Sequence, residues 1–242
     1  MTLLVLAGTG EARALAKALA RDGVRAVASL AGATRDPMEL GLPTRTGGFG
    51  GEAGFRAYLQ ANGITRVVDA THPFASRITT RTARVCAQMG LPYLYLLRPE
   101  WTAQPGDRWI PLAREEDAAQ HVTAGQTVFL GTGRQTLDRF ANLAHATLIC
   151  RQIDPPSGPF PFPNGRFLVG RLPFPVADEI ALFRDLGVDW LVVKNAGGDL
   201  SRSKLDAARA LGIPVLMINR PAPPDAPVVT TVKDALTWIG TP

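Results

Sequence analysis

The sequence predicts an α/β protein built from two Rossmann-like halves, each with a parallel sheet, that face one another across a cleft. Short runs of β-branched and aliphatic residues alternate with amphipathic stretches along the 242 residues, which is typical of a parallel α/β sheet. The chain also repeats itself: Val5–Gly10 recurs as Val128–Gly133, and Met89–Pro92 recurs as Leu211–Pro214. The two offsets are nearly equal, which favours two domains of similar topology. Chance similarity between common α/β elements is the alternative.

Each element is predicted from its local pattern, and the first domain is expected over residues 1–98 and the second over 99–242. Strands are predicted at Leu3–Ala7, Arg25–Leu30, Arg66–Ala70, Tyr93–Leu97, Thr127–Gly131, Thr147–Gln152, Trp190–Lys194 and Pro214–Asn219. Helices between them are predicted from apolar residues that share a face: Leu15 with Leu19, Ile78 with Val85 and Met89, Leu137 with Phe140, and Ile180 with Phe183. Loops are predicted over Arg98–Pro111, Asp154–Pro163 and Pro221–Pro227, and successive prolines exclude a helix from the last.

Composition restricts the location and the partners that we expect. Hydrophobic residues make up 46% of the chain and charged residues 19%, as in ordinary globular proteins, and no apolar run reaches the length of a membrane span. The N-terminus has the pattern of a buried strand and not of a signal peptide, and the two cysteines lack disulfide or metal-ligand spacing. We therefore expect a cytoplasmic protein with no metal site and no membrane partner. The net charge of +5 favours a small anionic ligand, and no motif for nucleic acid is present.

A glycine-containing turn follows the first predicted strand and precedes the first predicted helix. Gly8, Thr9 and Gly10 allow backbone N–H groups to approach a phosphate, and the helix that begins near Glu11 favours negative charge at its N-terminus. Arg13 stands where a complete G-x-G-x-x-G motif has its third glycine. The turn therefore predicts a nucleotide site, and a purely structural turn is the alternative.

The end of the second predicted strand indicates which nucleotide is bound. NAD-binding sheets end this strand with Asp or Glu, whereas here the residues run from Ser29 to Gly32. Without that carboxylate a 2′-phosphate is not repelled, and Arg13 and Arg35 are candidates to neutralise it. We therefore expect NADPH and not NADH, with two merely solvated arginines as the alternative.

Two further loops are candidates for ligand contact in the first half. Gly48, Phe49 and Gly50 lie in a segment too rich in glycine for a helix or strand interior, so we expect a close approach to ligand, with the phenyl ring against a ligand ring. A flexible exposed loop is the alternative. Thr71 and His72 follow the strand Arg66–Ala70, and His72 is a candidate proton donor because histidine titrates near neutral pH. A structural histidine is the alternative there.

Glycines and cations follow the predicted strands of the second half in the same way. Gly131, Thr132 and Gly133 repeat the phosphate-turn pattern, with Arg134 beside them. Further candidates for binding carboxylates or cofactor phosphates are Arg151, Lys194, Asn195 and Lys204. A solvated rim is the alternative, which we disfavour for Lys194 because it ends an apolar strand. At the crossing between the halves, Trp101 either stacks on a large flat ligand or packs against the hinge.

Taken together, these residues resemble the precorrin-6A reductase family, and the resemblance covers nearly the whole chain. Its motifs are Gly8–Ala12, Ser29–Gly32, Gly47–Gly51, Asp69–Ala75, Arg98–Trp101, Gly131–Arg134 and Lys204–Ala208 leading into Leu211–Pro221. The element Asp69–Ala75 and the ending from Lys204 are specific in combination, whereas the first glycine turn alone is weak. The chain departs from the family at Asn195 and Ala196, where members often carry Ser or Glu around a glycine.

The resemblance implies an oxidoreductase of cobalamin biosynthesis that reduces precorrin-6A to precorrin-6B by hydride transfer from NADPH to the macrocycle. Its predicted catalytic residues are His72, Thr71 and Lys194. Its predicted cofactor-binding residues are Gly8, Thr9, Gly10, Glu11, Arg13, Ser29, Gly32, Gly48, Phe49, Gly50, Gly131, Thr132, Gly133, Arg134 and Lys204. Its predicted substrate-binding residues are Phe74, Arg77, Arg98, Trp101, Arg151, Lys194 and Asn195, which suit a tetrapyrrole with carboxylate side chains. Hand-over of the product to neighbouring enzymes of the pathway is also expected.

Other functions stay open at this point. A cobalt-precorrin-6A reductase shares the same pattern, and so does an NADPH-binding reductase or redox sensor for another anionic ligand. A glycosyltransferase-like enzyme has similar facing halves but binds a nucleotide sugar. The fold by itself does not choose between them.

Overall fold

The computed structural model describes residues 2–32 and 39–240, so Arg35, one of the predicted 2′-phosphate ligands, lies outside the described residues. The strands are β1 Thr2–Leu6, β2 Ala26–Leu30, β3 Thr44–Thr46, β4 Ile64–Asp69, β5 Tyr93–Leu96, β6 Trp109–Leu112, β7 Thr127–Leu130, β8 Thr147–Gln152, β9 Gly165–Val169, β10 Trp190–Lys194, β11 Val215–Ile218 and β12 Val228–Val229. The α-helices are α1 Gly10–Arg21, α2 Gly51–Ala61, α3 Ser76–Met89, α4 Val176–Asp185, α5 Ser203–Leu211 and α6 Val232–Ile239. Shorter 3₁₀ segments cover Glu115–Gln120, Arg134–Leu143 and Asp199–Ser201.

The chain divides into two compact units, and the second does not extend to the end of the sequence as expected. The first unit comprises Met1–Pro99 and Pro221–Pro242, and the second comprises Glu100–Arg220. The segment after Arg220 therefore belongs to the first unit and not to a domain spanning 99–242. The physical reason is backbone pairing: β12 adds to the sheet beside β5, and α6 packs against α1.

Both units contain a six-stranded, fully parallel sheet with the same order of five strands, and they differ in where the sixth, edge strand comes along the chain. The order in the first unit is β12-β5-β4-β1-β2-β3, and the order in the second is β6-β11-β10-β7-β8-β9. In the first unit β1, β2 and β3 run one way from the centre, and β4, β5 and β12 run the other way. In the second unit β7, β8 and β9 run one way, and β10 and β11 run the other way, with β6 added at the edge beyond β11. The strand order therefore reverses between β1 and β4, and between β7 and β10. Ligands of open parallel sheets bind at the carboxyl ends of such strand pairs.

The sheet of the first unit is buried on both faces because its strands present apolar side chains in both directions. Leu3 and Val5 of β1 pack with α1 and α6, whereas Leu4 and Leu6 pack with α2 and α3. Successive strand residues point to opposite faces, so a continuous apolar strand such as β1 needs helices on both sides. This burial fixes the positions of the loops that follow the strands.

The second unit follows the same plan with shorter helical segments. Helices α4 and α5 pack together on one face, where Phe183 and Leu205 are fully buried. The expected amphipathic helix around Leu137 and Phe140 is instead a run of 3₁₀ turns with non-helical backbone angles at Thr136, although both apolar residues are buried as expected. A short segment can therefore bury its apolar side chains without a regular α-helix.

Every predicted strand overlaps a strand of the structure. The strands that were not predicted are the edge strands of the two sheets. These strands are β3, β6, β9 and β12. The loop predicted over Arg98–Pro111 is wrong at its end, since β6 begins at Trp109 and pairs with β11. Pro111 is tolerated there because an edge strand lacks a partner on one side. Within the described residues, no helix is both long and apolar enough to cross a membrane, and no cluster of His, Cys, Asp or Glu is suited to a metal.

Candidate active site

The turn after β1 is fixed to the end of β4 by Thr9. The Thr9 hydroxyl accepts a hydrogen bond of 3.1 Å from the backbone N–H of Ala12, capping α1, and donates one of 2.9 Å to the carbonyl oxygen of Ala70. A Cβ added at Gly8 would lie 3.8 Å from the backbone nitrogen of His72, so the two loops lie side by side with no side chain of Gly8 between them. Gly10 begins α1, and the N–H groups of its first turn form a ready anion site. The Thr9 side chain therefore organises this turn, while its backbone is available to a ligand.

We expect Thr9→Val to lower the free energy of unfolding by about 1 kcal/mol, because the isosteric side chain loses both the helix cap and the bond to Ala70. Thr9→Ser keeps the hydroxyl and serves as the control. Urea unfolding followed by circular dichroism measures both. Equal stability of the valine and serine variants would show that the cap contributes nothing.

Glu11 and Arg98, predicted respectively to bind cofactor and substrate, form an ion pair within the first unit. An oxygen of Glu11 lies 2.9 Å from a guanidinium nitrogen of Arg98, and both side chains are largely buried. Glu11 stands in the first turn of α1, where a bare carboxylate would repel a phosphate. Arg98 neutralises that carboxylate. Arg13 lies half-buried two residues further along the same helix.

The loop after β4 is hydrogen-bonded to a buried carboxyl group, that of Asp69. One oxygen of Asp69 accepts a bond of 3.0 Å from the backbone N–H of Thr71, and the other accepts one of 3.1 Å from the Tyr93 hydroxyl. The Thr71 and Thr79 hydroxyls lie 3.2 Å apart. Thr71, a predicted catalytic residue, is buried and engaged in this network. Its position favours a supporting role for its side chain.

Asp69 gives the protein a testable dependence of stability on pH. Burial raises the pKa of Asp69, and this outweighs the hydrogen bonds from Thr71 and Tyr93, which lower it. The folded protein then retains a proton that the unfolded chain has lost, so stability falls as the pH rises from the ordinary carboxyl pKa through the raised one. Asp69→Asn has no such proton. We expect its stability relative to the unchanged protein to increase across that range.

The measurement is urea unfolding of both proteins at a series of pH values. Glu11→Gln is a suitable control, because it removes a carboxyl group of the same unit that is not fully buried. Parallel stability curves for Asp69→Asn and the unchanged protein would contradict a raised pKa at Asp69.

His72, Phe74 and Arg77 follow in the same loop and at the start of α3. The backbone N–H of Phe74 donates a hydrogen bond of 3.3 Å to Nδ1 of His72, so Nε2 carries the proton in the neutral ring. The rings of His72 and Phe74 lie 5.9 Å apart, both half-buried, and Arg77 is exposed. The structure thus brings His72 beside Gly8 at the point where the strand order reverses.

At the ends of β2 and β3 the structure reveals a residue that was missed from the sequence, Arg45. It donates to the Ser29 hydroxyl at 2.8 Å and to the carbonyl oxygens of Gly47 and Gly48, each at 2.9 Å. Its guanidinium lies 4.0 Å from the centre of the Phe49 ring. The sequence does place Arg45 just before the glycine cluster, which could have indicated a role at this loop. Because β3 contains no apolar residue, however, its sequence does not predict a strand.

Phe49 differs from the expectation that it contacts a ligand ring. Its ring is buried among Phe55, at 4.8 Å, and Tyr58, at 5.1 Å, so it anchors the glycine loop to the core. Two glycines of these loops need backbone freedom: Gly50 has φ 73° directly before α2, and Gly32 has φ 78° after β2, where a Cβ would lie 3.2 Å from Thr46. Their loops, and not the phenyl ring, border the end of the sheet.

In the second unit the turn after β7 is packed against protein atoms. A Cβ at Gly131 would lie 3.0 Å from Val193 and 3.4 Å from the side chain of Lys204, so a larger residue there would require these side chains to shift. The Thr132 hydroxyl is buried without a hydrogen-bond partner in the described residues. Gly133, with φ 74°, leads into the 3₁₀ turns that begin at the exposed Arg134. The close approaches at Gly131 are to side chains of the protein, those of Val193 and Lys204.

Lys194 ends β10 inside a network of charges and hydroxyls. Its Nζ donates a bond of 3.1 Å to the Thr136 hydroxyl and lies 3.5 Å from Glu115, whose other oxygen is 3.2 Å from Arg139. Burial lowers the pKa of Lys194, and Glu115 acts in the opposite direction. The expectation that Lys194 is partly screened from water is confirmed. The partner Glu115 was not predicted.

Arg151 differs from its predicted role as a substrate ligand. Both of its terminal nitrogens bind the carboxylate of Glu179, at 2.6 and 2.7 Å. Its guanidinium lies 4.7 Å from the ring centre of Phe129 and 4.3 Å from that of Phe174. A charge paired and enclosed in this way supports the fold of the second unit and is not presented to a ligand.

Trp101 and Asn195, also predicted to bind substrate, bind each other instead. The backbone N–H of Trp101 donates to the Asn195 side-chain oxygen at 2.9 Å, and the indole N–H donates to the Gly198 carbonyl at 3.0 Å. The ring is 7% exposed and Nζ of Lys204 lies 5.5 Å from its centre. Of the two roles considered for Trp101, the structure supports packing and not stacking on a flat ligand.

The structure therefore gathers the predicted residues into two separate groups, one at the carboxyl edge of each sheet. The first group comprises Gly8, Thr9, Gly10, Glu11, Arg13, Ser29, Gly48, Thr71, His72, Phe74 and Arg98. The second comprises Gly131, Thr132, Gly133, Arg134, Lys194, Asn195 and Lys204. The first has the form of a nucleotide site, and the second supplies cations.

The chain is similar to known proteins over nearly its whole length. The family model described as precorrin-6x reductase CbiJ/CobK matches residues 2–240. The precorrin-6A reductase of Rhodococcus erythropolis is 49% identical over 242 residues, covering 99% of this chain and 97% of that protein. That of Rhodobacter capsulatus is 44% identical over 240 residues, covering 98% and 95%. The cobalt-precorrin-6A reductase of Priestia megaterium is 25% identical over 248 residues, covering 97% and 96%.

A solved structure described as CobK precorrin-6A reductase is similar over 99% of this chain and 96% of its own, with a TM-score of 0.94 and 42% sequence identity. The similarity extends over both units, so it includes the two sheets and the loops at their carboxyl ends. The chain belongs to the precorrin-6x reductase family, the oxidoreductases that act on a tetrapyrrole intermediate of cobalamin biosynthesis.

Proposed function

We propose that this chain reduces precorrin-6A, the metal-free intermediate, to precorrin-6B with NADPH as the hydride donor. The observation that carries the proposal is the capped glycine turn after β1, which lies against His72 at the reversal of strand order. A site of this form suits a dinucleotide. The substrate follows from the relatives named precorrin-6A reductases, which are 44–49% identical, against 25% for the cobalt-precorrin-6A reductase of Priestia megaterium.

The described residues of the first unit fit a phosphorylated dinucleotide. The N–H groups at the start of α1 would bind the pyrophosphate, and Gly8 leaves room for it because no side chain projects there. Arg98 keeps Glu11 from repelling it. At the end of β2 the neutral Ser29 replaces the carboxylate that would oppose a 2′-phosphate. When bound, NADPH supplies the hydride.

The remaining task of the chain is to orient the substrate and to supply a proton. Exposed or half-buried groups near the strand ends suit this role in the first unit: Arg77 for a substrate carboxylate and Phe74 for the apolar macrocycle. Nε2 of His72, which carries a proton in the neutral ring, is the proposed proton donor. In the second unit Lys194 and Arg134 are the proposed partners for further carboxylates.

The proposal is tested by anaerobic incubation of the purified protein with precorrin-6A and either NADPH or NADH, followed through the visible spectrum of the macrocycle. We expect rapid conversion with NADPH, slower conversion with NADH and little conversion of cobalt-precorrin-6A. Equal use of both nucleotides would refute the assignment of NADPH. Preference for the cobalt form would refute the choice of substrate, and no conversion under any condition would refute the reaction.

The variant His72→Ala in the same assay tests the proposed proton donor. If this variant keeps the full rate of reduction at every pH, His72 does not donate the proton. Hand-over of the product to a neighbouring enzyme and a cytoplasmic location stay predictions.

A further inference from the structure

We propose that the second unit carries a binding site for a small zwitterion, a molecule with both a carboxylate and an ammonium group, at the amino ends of its strands. The inference goes beyond the proposed function, because it concerns neither the cofactor nor the tetrapyrrole. It is carried by an open cavity that both Arg166 and Asp185 line, although neither of them forms an ion pair with any described residue.

The cavity lies at the end of the second sheet that is opposite to the candidate active site. Its volume is about 340 Å³, which is within the usual range for sites that bind small molecules. Thr127, Thr147 and Gly165 line it, and they are the first residues of β7, β8 and β9, whereas Lys194 is the last residue of β10. The other lining residues are Ile149, Arg166, Asp185 and Leu186. None of these residues is assigned to the reductase reaction.

The cavity forms where helix α4 ends above the sheet. Ile149 is the register partner of both Phe129 and Arg166, so these three side chains point to the same face of the sheet. Helix α4 covers this face at Phe129, whose ring centre lies 4.9 Å from that of Phe183. The helix ends at Asp185, and the amino ends of the strands border the cavity beyond it.

The protein leaves the two charges of the cavity without partners. Among the described residues, neither Arg166 nor Asp185 has an ion pair or a side-chain hydrogen bond, although both line the same cavity. In the same sheet, by contrast, both terminal nitrogens of Arg151 bind Glu179. The Asp185 carboxylate also stands at the negative end of the α4 dipole. That side of the cavity therefore attracts a cation, and the guanidinium of Arg166 attracts a carboxylate.

Hydroxyl groups and apolar surface complete the cavity. Thr127 and Thr147 are register partners, and their hydroxyls form no hydrogen bond with another described residue, so they can donate to or accept from a ligand. The buried Ile149 and the half-buried Leu186 supply apolar surface. An aliphatic amino acid has all three complementary features: a carboxylate, an ammonium group and an apolar side chain.

The experiment titrates the full chain with three compounds that share one aliphatic group. L-leucine carries both charges, 4-methylpentanoate carries only the carboxylate, and 3-methylbutylamine carries only the ammonium group. Binding is measured by NMR from the amide shifts of Gly165 and Leu186. We expect a Kd of about 1 mM for L-leucine, and binding about 10-fold weaker for each of the other two, since each lacks one charge-assisted hydrogen bond.

Two substitutions separate the two halves of the site. Arg166→Gln should lower the affinity for L-leucine and for 4-methylpentanoate by about 10-fold and leave 3-methylbutylamine unchanged. Asp185→Asn should weaken L-leucine and 3-methylbutylamine by the same factor and leave 4-methylpentanoate unchanged. Arg184→Gln and Asp178→Asn are the matched controls, because both residues are exposed on α4 and do not line the cavity. Both controls should bind all three compounds as the unchanged protein does.

Equal affinity of the unchanged protein for the three compounds would overturn the site, and this comparison requires no variant to fold. Losses of the same size in the cavity variants and in their controls would also overturn it, as would the absence of saturable shifts at Gly165 and Leu186 with L-leucine. None of these results bears on the proposed function, because the titration contains neither nucleotide nor tetrapyrrole. A failure to reduce precorrin-6A would in turn leave this site untouched.

Discussion

We expect Glu179→Ala to destabilise the protein by about 3–5 kcal/mol, a large effect for a single substitution. The carboxylate of Glu179 is 1% exposed and binds both terminal nitrogens of Arg151, which is itself 11% exposed. Removing one partner leaves a guanidinium enclosed between two phenyl rings without an anion. Such an uncompensated buried charge costs much more than the contact alone contributes.

Equilibrium unfolding in urea, followed by circular dichroism, measures this loss. The double variant Glu179→Leu with Arg151→Met should recover most of it, since both charges are gone and the apolar volume is retained. Asp117→Ala, which removes the partner of the exposed Arg114, is the control and should change stability little. A loss in Glu179→Ala no larger than in this control would contradict a buried pair.

The pair also shows why the role of Arg151 was misjudged from the sequence. A cation at the end of a parallel strand is a fair candidate for ligand binding, and Arg151 lies near the end of β8. Its partner lies 28 residues further along the chain, on α4. No local pattern connects the two, because a strand–helix contact of this kind depends on how the elements pack. Polar partners therefore escape prediction even where the elements themselves are predicted.

The fold was predicted well where strands are buried on both faces. Strands β1, β7 and β10 carry runs of three or four consecutive apolar residues, and β4 carries the buried pair Val67 and Val68, because helices cover both sides of the centre of each sheet. Edge and near-edge strands carry weaker patterns: β3 consists of Thr44, Arg45 and Thr46, and β12 has only two residues. The return of the chain to the first unit depends on β12, so the domain boundary after Arg220 had no local signal.

The candidate site was predicted at the level of loops and less well at the level of side chains. The internal repeat and the strand ends placed the loops at Gly8 and at His72 together, as found. The aromatic residues Phe49 and Trp101 were expected at a ligand and instead pack in their units. Large apolar side chains gain more from burial than from exposure in a loop. Composition alone does not show whether a loop folds back onto the core.

We expect Glu115→Gln to shift the alkaline limb of the pH profile of kcat/KM to lower pH. Burial lowers the pKa of Lys194, and the carboxylate of Glu115, 3.5 Å from its Nζ, opposes that shift. Without the carboxylate the pKa of Lys194 falls further, so the ammonium loses its proton at a lower pH. If that ammonium binds a substrate carboxylate as proposed, activity is lost at the same lower pH.

Arg139 provides the opposite change at the same place. Its charge lowers the pKa of Lys194, so Arg139→Gln should move the alkaline limb to higher pH, whereas Glu115→Gln moves it to lower pH. Lys194→Ala should lower kcat/KM by about 10- to 100-fold and abolish both shifts, because the titrating group is gone. These profiles are measured anaerobically with saturating NADPH. Shifts of the same sign in the two variants, or shifts that persist in the Lys194→Ala background, would assign the limb to another group and remove Lys194 from substrate binding.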